Sequence, residues 1–385
     1  EAVADKAEAW YGTKYHEAEI PAEKLALWAD PPELDAALHL PRPNELIASD
    51  FALRCESGGD AAPGVKGVVE GPPPPPAQVQ STPTSSVWHK MDTEFGLPKS
   101  YVNLMMLSPE AYASPRAVVL SRLYSEVVKD ALNEFAYDAE VAGLNYSLRN
   151  TTRGLQLTVA GFNDKLPVLA NRVGNMMSKT AASFDEERFR LIKDRIVLEY
   201  KNFSKQQPYR CAMYNINYML RPTRWHNDDK LAVVDELGPE DMRQFSGRLL
   251  SNAFCEVLVH GNSSVEDATT LVSSFESALD YAALRPSQSL QIMAPRCMQL
   301  PVPTCDATHR MPGLDPENEN SAVNLYWQVG PRDVRCGALL GLLAHLVREP
   351  CFDQLRTKEQ LGYMVFSGMS DVNGVVGLWI IVQSS

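Results

Sequence analysis

Apolar residues recur along this chain with two spacings. Recurrence every three or four residues marks helices, and strict alternation marks half-buried strands. Residues 87–91 and 101–107 read as strands. Ser114-Pro115 then pairs a capping side chain with a proline at the first helical position. Leu120, Leu123, Tyr124, Val127, Val128, Ala131 and Phe135 follow at helical spacing, which predicts one helix running towards Gly143. Residues 144–148 and 155–159 alternate as a hairpin with Arg153-Gly154 near its turn. Helices are predicted near 166–178, 185–205, 209–221, 239–250 and 265–279, with a strand at 254–260. A strand is expected at 290–293 and another at 323–329. Residues 339–347 are strongly apolar and predict a buried helix, followed by strands around 363–366 and 375–382. Near the start, residues 22–28 predict a short helix that Pro31-Pro32 ends.

Strand blocks separated by helical blocks predict an α+β plan, with helices packed against a largely antiparallel sheet. The plan looks repeated: strand, long helix and hairpin at 101–160, then strand, helix and strand pair at 322–383. One stretch differs. Residues 57–86 hold seven prolines and five glycines, with Pro72 to Pro76 consecutive. Such composition offers too little apolar area to offset the entropy of ordering, and a linker spanning 51–86 is expected. Residues 286–320 hold six prolines and a polar cluster, a second expected crossing between domains.

Charge narrows the function classes. The 385 residues carry 36 Lys+Arg against 48 Asp+Glu, a net charge of −12. An acidic chain lacks the basic footprint of a nucleic-acid binder, and it gains nothing at an anionic lipid surface. No apolar run approaches the roughly 18 residues of a spanning helix. Neither nucleic acid nor membrane is an expected partner. The seven cysteines are widely spaced with no C-x-x-C, which argues against zinc ribbons and dense disulfides and for a reducing compartment. His16-Glu17-Ala18-Glu19 begins an H-x-x-E pattern, but Ile20 stands where a second imidazole would be needed. No metal site is expected in this sequence. The chain starts at Glu1 and stops after an apolar run, which reads as a larger protein cut at both ends.

The run Glu349-Pro350-Cys351-Phe352-Asp353-Gln354-Leu355-Arg356-Thr357-Lys358-Glu359-Gln360-Leu361-Gly362-Tyr363 resembles a block of the insulinase/pitrilysin family of zinc metallopeptidases. Residues 133–144, Gly161-Phe162-Asn163-Asp164-Lys165, Gln207-Pro208-Tyr209, His260-Gly261-Asn262 and Trp10-Tyr11-Gly12-Thr13-Lys14-Tyr15 resemble the same family. The resemblance covers nearly the whole chain except the proline-rich stretch.

The resemblance implies tandem homologous α+β domains, four to a family member, arranged as two halves around a chamber. It places residues 1–50 at the end of the second domain, 51–86 in the linker between halves, 87–285 in a complete third domain and 286–385 in the first part of a fourth. The family's H-x-x-E-H zinc motif belongs to the first domain and is absent here. Zinc is thus implied as a cofactor of full-length members, and none is expected to bind this chain. Arg356 and Tyr363 are implied as catalytic, contacting the scissile peptide and supporting the tetrahedral intermediate. The implied partners are peptide substrates and the missing N-terminal half, with a homodimer left open. The cytoplasm is the expected compartment, with peroxisome or mitochondrion as alternatives. The competing reading is a non-catalytic scaffold or peptide-binding protein of the same fold.

Overall fold

The computed structural model describes residues 4–31, 42–56, 74–292, 294–301 and 307–384. It divides into two units, Glu1–Glu45 and Leu46–Ser385. In the first, β1 (Lys6–Ala7) pairs antiparallel with β2 (Lys14–Tyr15). Gly12 takes the left-handed backbone (φ 67°) that returns the chain. The expected short helix is α1 (Ala22–Ala29), and none of its residues is buried.

The second unit contains the core. β3 (Ala77–Ser81), β4 (Ser85–Met91) and β5 (Lys99–Leu107) lead to α2 (Pro115–Ala131) and α3 (Asn133–Val141). The hairpin of β6 (Asn145–Asn150) and β7 (Gly154–Phe162) follows. Five helices come next: α4 (Leu166–Ala182), α5 (Glu186–Asn202), α6 (Pro208–Met219), α7 (Asn227–Val234) and α8 (Pro239–Ser251). β8 (Asn252–Gly261), α9 (Val265–Leu279), β9 (Ala282–Ala283) and the single turn α10 (Pro286–Ser289) close this part. Its sheet runs β3-β4-β8-β5-β7-β6, with β9 beside β8. Among the described residues, only the β4–β8 and β8–β9 pairings are parallel. Alternation sets the buried face: Val102, Leu104 and Met106 on β5, and Cys255, Val257 and Val259 on β8, are nearly inaccessible. They join the buried residues of α2, α4, α5, α8 and α9 in one hydrophobic cluster. Helices on a mostly antiparallel sheet are the α+β class expected.

The remainder is smaller. β10 (Ser321–Pro331), α11 (Val334–Phe352), β11 (Met364–Val372) and β12 (Val375–Ser384) form a three-stranded antiparallel sheet, order β10-β12-β11, with α11 against it. β5, β7 and β6 have the same relative order around α2, so the repeat seen in the sequence is present in connectivity.

The structure departs from the sequence reading in five places. The helix predicted from 115 towards Gly143 breaks at Leu132, whose φ −94° and ψ −1° end one helix and start another. Leu132 is wholly buried, so packing sets the bend. Residues 77–81, assigned to the linker by composition, are strand β3, paired from Ala77 to Ser81 with β4; residues 57–73 of that linker lie outside the described residues. The strand expected at 290–293 is a turn at Leu290–Ile292, and Met293 lies outside the described residues. Helix α7 was missed because its first turn, Asn227-Asp228-Asp229-Lys230, is all polar; its start is fixed by His226 and Asp229 in a capping box. Finally, the helix at 339–347 is mostly not buried. Leu340 and Ala344 are, but Leu339, Leu342, Leu343 and Leu346 are 46–63% exposed.

Candidate functional site

The segment carrying Arg356 and Tyr363 begins with a distortion. Asp333 caps α11 by accepting a hydrogen bond from the Cys336 N–H at 2.7 Å. The helix then meets Pro350 in its last turn. Proline has no N–H to donate, and its ring presses on the carbonyl four residues back. Just beyond, Asp353–Lys358 widens into a π-type turn, a feature frequent at functional sites. The Glu359 N–H reaches back five residues to the Gln354 carbonyl at 2.9 Å, and the Leu361 N–H reaches the Leu355 carbonyl at 3.0 Å. Lys358 and Asp353 close an ion pair at 2.7 Å across the turn. Gln360, at φ 53°, reverses the chain towards β11.

This turn brings the two expected site residues together. The Arg356 guanidinium lies 4.3 Å from the centre of the Tyr363 ring. Its other neighbour is Phe352, one helical turn earlier, with the ring centre 4.8 Å away. Arg356 is thus held by two aromatic rings. Exposed contacts of this kind contribute about 0.5–1 kcal/mol each. Among the described residues, no carboxylate pairs with Arg356 and nothing accepts from the Tyr363 hydroxyl. Tyr363 is 76% exposed. The arrangement therefore presents oriented, unsatisfied N–H and O–H donors to solvent, suited to an anionic or carbonyl oxygen.

Phe352 escaped the sequence reading, although an aromatic four residues before an arginine is a visible helical pair. Gly362, just before Tyr363, is fixed by close approach: a Cβ there would stand 1.9 Å from the Gln383 carbonyl oxygen. Strand β12 passes too close for any side chain, and the left-handed residue is Gln360 instead. Gln383 is itself nearly buried. Its Oε1 accepts from the Tyr209 N–H at 3.1 Å, and its Nε2 donates to Gln207 Oε1 at 2.7 Å. The Tyr209 ring lies 5.8 Å from Phe366 on β11. The start of α6 thereby docks on the small sheet, through Gln383 on its central strand and Phe366 on β11.

Among the described residues, no group of three or more His, Cys, Asp or Glu is placed to hold a metal ion. The donor set here does not fit zinc. Nor, among the described residues, is any helix long and apolar enough to cross a membrane.

Comparison with known proteins agrees along the whole length. The family model for the middle or third domain of peptidase M16 matches residues 1–233, running through the boundaries expected at 50 and 86. A second model, for domain 4 of the C-terminal lobe of PQQ synthase PqqF-like proteins, matches residues 342–385. Insulin-degrading enzyme of Homo sapiens is 34% identical over 385 residues, covering 100% of this chain and 36% of its own. The peroxisomal insulin-degrading enzyme-like 1 of Arabidopsis thaliana is 33% identical, covering 100% of this chain and 38% of its own. The chain thus spans little more than a third of the length of these relatives. The crystal structure of pitrilysin shares the fold at a TM-score of 0.71 and 22% identity, over 99% of this chain and 38% of that one. With sequence relatives, family model and fold in agreement, the chain belongs to the peptidase M16 family, the insulinase and pitrilysin group of metallopeptidases.

Proposed function

We propose that this chain forms the part of an M16 metallopeptidase that walls a peptide chamber and lends Arg356 and Tyr363 to the reacting peptide. Zinc in this proposal is held by another part of the longer protein, and the proposed division keeps 87–285 as the third domain and 286–385 as the start of the fourth. The carrying observation is the Arg356 guanidinium clamped between Phe352 and Tyr363 with its donors unpaired. Both side chains would donate to the carbonyl oxygen of the scissile peptide. Their hydrogen bonds would strengthen as that oxygen gains charge, and such a donor contributes about 2.7–4 kcal/mol, roughly 10²–10³ in turnover. The substrate would be a peptide small enough to be enclosed, and the compartment the cytoplasm, with peroxisome or mitochondrion as alternatives.

The test uses the longer protein that includes the zinc motif, with a fluorogenic peptide. Tyr363→Phe should lower kcat by roughly 10²-fold with little change in thermal stability, because the lost hydroxyl is exposed and unpartnered. Arg356→Lys keeps the charge but loses the planar fork, and should lower kcat too. Unchanged turnover in both variants would sink the assignment.

A further inference from the structure

A second cluster of cations lies away from Arg356, where α2, the end of α5, the end of α6 and the start of α7 meet. The Arg122 guanidinium sits 5.2 Å from the Tyr200 ring centre, and the Lys230 ammonium 5.9 Å from the same ring. Arg224 lies 5.0 Å from the Tyr214 ring centre. Arg221 is close enough to Arg224 for each to act on the other's charge, and Tyr112 feels both. All four cations are half-buried.

Their counter-charges do not balance. Glu199 takes Arg122 in a direct ion pair. The Asp229 carboxylate accepts from the His226 N–H at 2.8 Å and acts on Lys230. Asp228 lies 3.2 Å from the His226 ring. Among the described residues, no carboxylate pairs with Arg221 or Arg224. The neutral groups near Arg221 cannot substitute: burial pushes the Cys297 thiol and the Tyr112 phenol up, so both stay protonated at neutral pH. Two guanidinium groups are left half-buried without a carboxylate partner, Arg224 against the Tyr214 ring, an arrangement that costs free energy until an anion arrives.

We propose that Arg221, Arg224 and Lys230, walled by Tyr200 and Tyr214, form a binding site for a phosphate-type dianion, either inorganic phosphate or a small phosphate monoester. Two planar guanidinium groups can each present paired N–H donors to phosphate oxygens, and Lys230 adds a point charge. Four cations face Glu199, Asp229 and the exposed Asp228, a net surplus of one charge, so a dianion would draw on the two unpaired guanidinium groups as donors as well as on net charge. The setting of Lys230 fits the same picture. Burial first, then Arg224 and Arg122, push its ammonium down to about 8, against the opposing pull of Asp229. A bound dianion would restore it, so binding near pH 8.5 should take up a proton.

The test is calorimetric titration of the 385-residue chain with inorganic phosphate and with phenyl phosphate, at constant ionic strength set by chloride. Both should bind, and Arg221→Gln and Arg224→Gln should each weaken binding at least about ten-fold, while Arg248→Gln, at an exposed pair with Glu110, should not. Phenyl phosphate binding more tightly than phosphate would identify the ester as the ligand; equal affinities would identify the inorganic ion. At pH 8.5 the wild-type heats should depend on buffer ionisation enthalpy, which needs no variant and reports proton uptake by Lys230. Absence of binding by either probe, affinity unchanged in both arginine variants, or buffer-independent heats would overturn the proposal.

Discussion

Gly362 has no room for a side chain, because the Gln383 carbonyl occupies the position a Cβ would take. Gly362→Ala must therefore push β11 from β12 at the residue before Tyr363. We expect a loss of about 1–3 kcal/mol, the usual cost of forcing atoms into a packed site, read by urea denaturation of the chain. A neutral result would mean that the turn relaxes freely. At Lys230 the sign runs the other way. Its ammonium is depressed to about 8 in the fold from an ordinary value near 10.5. The unfolded chain therefore binds more protons between these values, and this group's contribution rises with pH from about 8 to 10.5. Below pH 8 its charge is a burden, so Lys230→Met should raise the melting temperature at pH 7 and lose that advantage above pH 10. Equal gains at both pH values would show that packing is responsible. Arg356 and Tyr363 are singled out only by the family block. Spacing alone makes one a solvated helix residue and the other a strand aromatic. Their approach depends on a π-type turn and a positive φ at Gln360, and neither has a periodic signature.

At the scale of elements, periodicity performed well wherever one face is buried. α4, α8, α9 and the β6–β7 hairpin stand where apolar spacing placed them. It failed where packing or capping decides. Buried Leu132 splits one apolar stripe into α2 and α3, and α7 is held by its cap more than by its single buried residue. β3 was hidden because Gln78, Gln80 and Ser81 look like linker, yet as an edge strand it needs few apolar residues. The contact between α6 and the small sheet was invisible for a different reason: it joins Tyr209 to a glutamine 174 residues further on, and Gln207 to the same side chain. Gln383 accepts from Tyr209, one of the first-turn N–H groups that a helix cannot satisfy internally. Gln383→Leu keeps the volume and removes both hydrogen bonds. It should cost about 1–2 kcal/mol and speed amide exchange at residues 209–212 while leaving the amides of the paired strands β5 and β7 unchanged. Uniform acceleration across the chain would instead indicate general destabilisation.

For the molecule as a whole, the two repeats differ most in what covers them. In the first, β8 closes the free edge of β5, and α4, α5, α7 and α8 pack around α2. In the second, no strand among the described residues pairs with the outer edge of β10. The exposed leucines of α11, at positions 339, 342, 343 and 346, follow the i, i+3, i+4, i+7 spacing of a face made for burial. That spacing is why the sequence reading placed the helix inside: pattern reports what a face is suited to, and coverage depends on neighbours elsewhere in the fold. The energetic consequence is local. The large cluster lies within residues 46–281, whereas α11 and its sheet bury only Leu340, Ala344, Val365, Val372, Val376 and Ile381 among their apolar side chains. Since opening free energy follows buried apolar contact, β10–β12 should open by local unfolding well before β5, β7 and β8. Native-state hydrogen exchange on the 385-residue chain should show amides of β10 and β12 exchanging at least about ten-fold faster than those of β5 and β8, a difference of about 1.4 kcal/mol or more in opening free energy. A hydrophobic dye should bind the chain, and Leu343→Lys should reduce that binding without lowering stability, because the side chain lies on the exposed stripe. Equal protection in both sheets would mean that α6, through Gln207 and Tyr209, couples the small sheet to the main core strongly enough for the two to unfold as one.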